Sequence, residues 1–416
     1  MNFFPTGFSG VTTDPMKDPF ATFNPSAPTS PFPFHSVGTF FVPKVGFAFL
    51  TFPHFRTPYS ENFNYGFQYQ LTPNTVVEAV YVGSLGRRLI QTEEVNFPVP
   101  SVMMQQLANF GAVNIDCARP LAACVDLNGN PVTGANADPS CLPGRGCASP
   151  TGATLLLANM SNGLSDSHEF QLTIDKRFSH GFNVRTAYTL SKTIDTLSGF
   201  RSRSGQSTNP LDYRQDRAVS DFDTPQRLVI SGLWELPLDK LHSSGGFLKK
   251  ALQGWEVAAV AEFQAGNPFT FFSESNSSNQ NNFLDRPDIN GPVTKFDPRR
   301  MQTFTSDCTG GTSAGPITGN FFVNPTVFNC SGVAPFTFGT LGRNAIRGPG
   351  INNWDLSLMK RTSITERTKI EFRAEFFNAF NHTQFLNPSD KASGTFAQVT
   401  QTRDPRLGQL ALKFIF

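Results

Sequence analysis

The 416 residues carry 34 Lys+Arg against 32 Asp+Glu, a formal charge of +2, with only 16% of positions charged where soluble domains hold about 25%. That balance argues against nucleic acid as a partner. The 34 Gly and 31 Pro interrupt helices, so an all-helical fold is excluded.

The opening residues, MNFFPTG, have neither the basic nor the apolar region of a signal peptide. No stretch approaches the ~20 uninterrupted apolar residues of a membrane helix. A barrel strand is not excluded, because it alternates lipid-facing and lumen-facing side chains. Residues 1–59 read as a leading segment with one weak strand at 39–52, and residues 60–416 as a single β-barrel portion.

Alternation begins at 63–71, where Phe63, Tyr65, Phe67, Tyr69 and Leu71 share one face and Asn64, Gly66, Gln68 and Gln70 the other. This is the period of a strand. Further strands are predicted at 75–84, 168–178 and 182–191, with Ser179, His180 and Gly181 forming a tight hairpin turn. Others follow at 226–236, 253–272, 351–362, 368–378 and 408–416, ten in all. The faces opposite the apolar ones carry Arg185, Arg227, Glu256, Glu262, Lys369, Glu371, Arg373 and Glu375. A watery lumen accepts such charges and a packed core does not. The solvent side of a soluble sheet is the competing reading, since it has the same period.

Connection lengths separate the two readings. Links are short at 72–74, 179–181, 237–251 and 363–367, and long at 85–166, 192–225, 273–350 and 379–405, in strict alternation. An up-and-down barrel with short periplasmic turns and long extracellular loops obeys that rule, whereas a Greek-key sandwich does not require it. The fold class expected is therefore all-β, an antiparallel up-and-down transmembrane barrel represented by about ten strands of a larger one. Trp234 and Trp255 fall near the short-turn end and Trp354 near the long-loop end, as interfacial girdles require. Lys176 and Lys360, on apolar faces near the short turns, are placed to snorkel. The long segments, rich in Ser, Asn, Gly and Thr, read as loops without a fold of their own.

All six cysteines lie in long loops: Cys117, Cys124, Cys141 and Cys147 in the first, Cys308 and Cys330 in the third. Even numbers at one end of the sheet point to disulfides at an oxidising surface. Cys308 is expected to pair with Cys330, while the connectivity of the other four stays open. The spacings do not suit zinc. Asp212, Asp216, Asp221 and Asp223 form a weak Ca²⁺ candidate, set against an acidic loop salt-bridged to Arg214 and Arg217. Residues 311–315 match a nucleophile elbow but lack the preceding strand, and the six scattered histidines have no metal-binding spacing. No catalytic residue and no cofactor is assigned.

The last residues, GQLALKFIF at 408–416, place Leu410, Leu412, Phe414 and Phe416 on alternate positions and end on Phe. Together with YVGSLGRRL at 81–89, DRAVSDFD at 216–223, GWE at 254–256, GNPF at 266–269, GRNAIRGPG at 342–350 and FRAEFFNAFNH at 372–382, they make the chain resemble the Oar-like TonB-dependent receptors of acidobacteria, from about residue 40 to the end. The resemblance implies a barrel of about 22 strands around a plug in the outer membrane of a Gram-negative bacterium. It implies a signal peptide, a carboxypeptidase-regulatory-like β-sandwich, a TonB-contacting segment and that plug upstream of the part present here. Its partners would be outer-membrane lipid, the barrel assembly machinery reading the terminal strand, TonB through the upstream region, and an extracellular ligand that the residues do not identify. A surface adhesion or scaffolding barrel and a secreted β-protein are the alternatives.

Overall fold

A computed structural model describes residues 54–111, 155–199, 208–241 except 211, 247–273, 285–309, 315–333 and 336–416, with short backbone pieces of the N-terminal region and of 113–132. Nine long strands form one sheet: β1 (Tyr59–Thr72), β2 (Thr75–Glu94), β3 (Leu155–Ser179), β4 (Phe182–Asp195), β5 (Gln226–Glu235), β6 (Trp255–Gln264), β7 (Ile351–Ser363), β8 (Lys369–Phe377) and β9 (Leu407–Ile415). Each pairs antiparallel with its chain neighbours, in the order of the sequence. The sheet is not closed: β1 and β9 are its two edges.

The weak strand expected at 39–52 is corrected. It divides into Phe40–Pro43, paired with Phe34–Val37, and Phe47–Thr51, which runs parallel to the start of β3. Pro43 is the last residue of the first piece, and a residue without an N–H donates nothing to a ladder.

Register explains the alternation. The rows Phe67–Ala79–Leu172–Tyr188–Leu228–Phe263 and Val257–Leu358–Ala374–Leu410 run directly across the strands. Every apolar stripe therefore joins its neighbour into one band, and a slip of one residue would break it. Tyr65, Phe67, Tyr69, Leu410, Leu412 and Phe414 remain exposed on that band. Beneath Phe63, Gly83 is required, since a Cβ there would meet the ring at 2.2 Å.

The opposite face carries the ion pairs of the sheet. Arg227 meets Glu262 at 2.8 Å, and Glu371 accepts from Arg361 and Arg373 at 2.7 and 2.5 Å, with Glu256 3.3 Å from Arg361. Arg373 and Glu371 lie two residues apart on β8, and the other pairs occupy adjacent strands, which places their side chains within reach across the ladder.

Short links close as expected. His180 (φ 55°) and Gly181 (φ 83°) form the two-residue turn between β3 and β4, a left-handed pair matching the twist of a hairpin. The 236–254 link holds a helical turn, α1 (Phe247–Leu252), whose Ala251 carbonyl accepts from Lys360 Nζ at 2.5 Å and from Trp255 Nε1 at 3.0 Å. Lys176 Nζ likewise reaches the carbonyls of Ser179 and Phe182 and lies 3.6 Å from the Phe182 ring. Both lysines thus snorkel onto orphan carbonyls.

The long segments differ from the expectation of unstructured loops. Pairing of β2 with β3 continues to Glu94–Leu157, well beyond the 75–84 and 168–178 strands read from the sequence. Segments 265–350 and 378–406 knit together through bridges such as Phe272–Lys391 and Phe321–Gln398. They enclose an apolar core in which Phe271, Phe321 and Phe396 are wholly buried, with Phe271 and Phe396 centroids 4.4 Å apart. Phenylalanines scattered among Gly, Ser and Asn leave no period to read, yet their burial supplies a core.

Candidate functional site

The folded loop assembly sits on the rim of the sheet at the long-loop end, and its attachment is built from charged side chains. Asp195 ends β4 on the polar face, paired with Ala218 of the two-residue strand Ala218–Val219. Arg343, brought over by the 265–350 segment, is buried against it. Its guanidinium pairs with the Asp195 carboxylate and donates to the carbonyls of Asp195 and Asp216, both at 2.8 Å, and to Ser198 Oγ at 3.1 Å. Asn344, in a left-handed conformation, donates to Val219 O at 2.7 Å and Asp221 Oδ1 at 2.6 Å. Arg347 pairs with the Asp223 carboxylate, which also accepts from Thr193 N at 2.6 Å. Arg286 lies 3.2 Å from Asp216.

Three arginines of one loop thus meet Asp195 at the end of β4 and Asp216 and Asp223 of the loop that follows it. Desolvation depresses the Arg286 guanidinium, and Asp216 opposes that shift. Nearby, burial raises the Glu93 carboxyl above its ordinary value, against a hydrogen bond from Asn162.

The four aspartates of the weak calcium candidate, Asp212, Asp216, Asp221 and Asp223, have other partners in this arrangement. Among the described residues no group of three or more His, Cys, Asp or Glu side chains is placed to hold a metal ion. Asp212 instead caps the 3-10 turn Tyr213–Asp216 by accepting from Arg214 N, and the other three face guanidinium or amide donors. The arginines differ from those the sequence nominated. Arg214 contributes its backbone N–H, and Arg217 turns to Asp166 at 3.1 Å. The partners Arg286, Arg343 and Arg347 were missed because each lies more than 60 residues from its aspartate. The GRNAIRGPG block held two of them, without a spacing that identifies a role.

The disulfide between Cys308 and Cys330 is present, with Cα atoms 5.1 Å apart. Asp307 Oδ2 accepts from Cys330 N and Ser331 N at 2.8 and 2.7 Å, closing the same turn. Cys117, Cys141 and Cys147, and most of the 311–315 elbow, lie outside the described residues, and of Cys124 only backbone pairing with Val132 is described. Leu410, Leu412 and Phe414 line the exposed edge strand, and Phe416 follows its last residue.

Two hollows flank the polar face. One of about 180 Å³ lies under the loop assembly between Gln264, Asn267, Phe385 and Arg403. The other, of about 460 Å³, opens near the short turns beside Asp175, Arg177, Arg185 and Ser231. The latter four residues belong to the charged side of the sheet.

A family described as an outer membrane beta barrel domain matches residues 4–409. No curated protein sequence matches the chain. Among solved structures, the outer membrane transporter YddB from Escherichia coli is 11% identical with a TM-score of 0.42, over 89% of this chain and 34% of that one. FpvA of P. aeruginosa is 12% identical with a TM-score of 0.35, over 86% and 27%. The FrpB iron transporter from Neisseria meningitidis is 9% identical with a TM-score of 0.36, over 88% and 32%. The chain spans about a third of the length of the transporters it matches. With the family covering nearly every residue, an apolar band on one face and ion pairs on the other, the chain belongs to the outer membrane beta barrel domain family and resides in the outer membrane of a Gram-negative bacterium.

Proposed function

We propose that residues 60–416 form the carboxy-terminal part of an Oar-like TonB-dependent receptor, a non-enzymatic barrel that takes up an extracellular ligand. The observation that carries this reading is the register of nine strands. It gathers ion pairs and polar side chains onto one face and apolar side chains onto the other, as an aqueous lumen within lipid requires. The open edges of β1 and β9 support a partial barrel, because unpaired backbone groups cost several kcal/mol each in hydrocarbon. The loop assembly supplies the outer ligand surface, the upstream region supplies plug and TonB contact, and Leu410, Leu412, Phe414 and Phe416 meet the assembly machinery.

Expression tests the reading. Residues 1–416 alone in detergent should give oligomers or aggregates, while the complete gene product should give a heat-modifiable monomer that binds the periplasmic domain of TonB. A dispersed, closed monomer from residues 1–416, or a complete product that does not bind TonB, would overturn it.

A further inference from the structure

We infer that the outward face of the sheet, where its apolar band ends below the long loops, binds the phosphate groups of a lipid headgroup, a phosphorylated glycolipid of the outer leaflet. The register places the site. Tyr81, Phe170 and Leu190 form one row of the apolar face. The next row toward the long loops is Gly83, His168 and Lys192, and the one after it Leu85, Asp166 and Ile194. Arg87 stands on the same face opposite Tyr59.

Asp166 holds two guanidinium groups at once, Arg87 at 2.7 Å and Arg217 at 3.1 Å. Arg88 lies over the Tyr59 ring, 5.4 Å from its centroid, and Tyr81 Oη meets His168 Nδ1 at 2.7 Å. The Lys192 side chain is exposed. Arg87, Arg88, Lys192 and Arg217 thus outnumber the carboxylates at this level, Asp166 and Glu61 of the edge strand, by two charges. The site spans β2, β3 and β4, two strand spacings or about 10 Å, broader than one small ion.

Height identifies the occupant. From Lys176, at the short-turn end of the band, to Asp166 there are ten residues of β3, about 33 Å along the strand. At the tilt of a barrel strand this is about 25 Å along the membrane normal, the height of the apolar band. The cations therefore stand at headgroup level, with apolar rows beneath them, and they face lipid instead of the lumen. At the opposite boundary, Lys176 and Lys360 are engaged by backbone carbonyls. The inference rests on the outer-membrane placement and on outward-facing long loops. It does not need ligand uptake, so its failure leaves the TonB test standing.

The complete gene product, purified from outer membranes in detergent, is titrated with micelles of a bis-phosphorylated diglucosamine glycolipid, with its dephosphorylated form and with inorganic phosphate. Arg88→Gln, Lys192→Gln and Arg217→Gln, all at exposed positions, are combined in one variant. Binding of the phosphorylated glycolipid should weaken about a hundredfold. The charge-retaining variant Arg88→Lys, Lys192→Arg, Arg217→Lys should bind like the parent, as should the distant control Arg299→Gln, Arg300→Gln, Lys391→Gln. Equal binding by parent and neutralised variant overturns the site. Equal binding of the dephosphorylated form overturns phosphate recognition, and displacement by inorganic phosphate alone assigns the cluster to a soluble anion, which overturns the lipid occupant.

Discussion

Arg343 is the side chain on which the rim attachment depends, because both it and Asp195 are more than nine-tenths buried. Replacing it with Met leaves an uncompensated carboxylate, which costs about 3–5 kcal/mol. Limited proteolysis within 265–350 should accelerate accordingly, and Arg343→Met with Asp195→Leu should recover most of the loss. Glu93 carries a pH dependence of definite sign. Its carboxyl is raised above the reference of 4.5, mainly by desolvation. Its contribution to stability is present in full below the unfolded-state value and is lost as pH rises through the raised folded-state value. Pulse proteolysis of the loop base between about pH 4 and about pH 8 should show resistance falling with pH, and Glu93→Gln should flatten that part of the curve and protect the neutral protein.

Among elements, the pairing of segments 265–350 and 378–406 separates loop stability from sheet stability. Phe271 is wholly buried among Phe269, Phe328 and Phe396, so Phe271→Ala should destabilise the loop assembly by about 3–5 kcal/mol. Reducing Cys308–Cys330, which closes a 22-residue separation, should remove about 3 kcal/mol. Both changes should expose the loops to protease while the heat-modifiable migration of the complete barrel stays unchanged. An equal loss of heat-modifiability would mean that the sheet depends on the loop core. The strands themselves were legible because each needs only its own alternation. The loop core was not, since Phe271, Phe321 and Phe396 share a cluster but no period.

For the molecule as a whole, sidedness follows from links that alternate between short and long along one meander. In intact cells carrying the complete gene, an impermeant maleimide should label Met301→Cys, exposed on the loop assembly. Glu366→Cys, in the short turn between β7 and β8, should react only after the outer membrane is opened. The reverse pattern would invert the topology. On the proposal that the terminal strand is the edge offered to the assembly machinery, deleting Phe416 should lower the yield of folded barrel, whereas Met301→Ala should not.

Strand period, register parity and the order of links are local properties, written into successive residues. Amino-acid order by itself therefore determined the sheet, its two faces and the end at which the loops gather, along with the pairing of Cys308 and Cys330, the only two cysteines of their loop. Contacts between distant segments obey no spacing, so tertiary structure alone decided that Arg286, Arg343 and Arg347 answer Asp216, Asp195 and Asp223. It likewise decided that β2 and β3 continue above the membrane band, because their buried upper ends are stabilised by the loops that cover them. A carboxylate selects the nearest guanidinium in space, and that neighbour exists only once the loops have folded onto the rim.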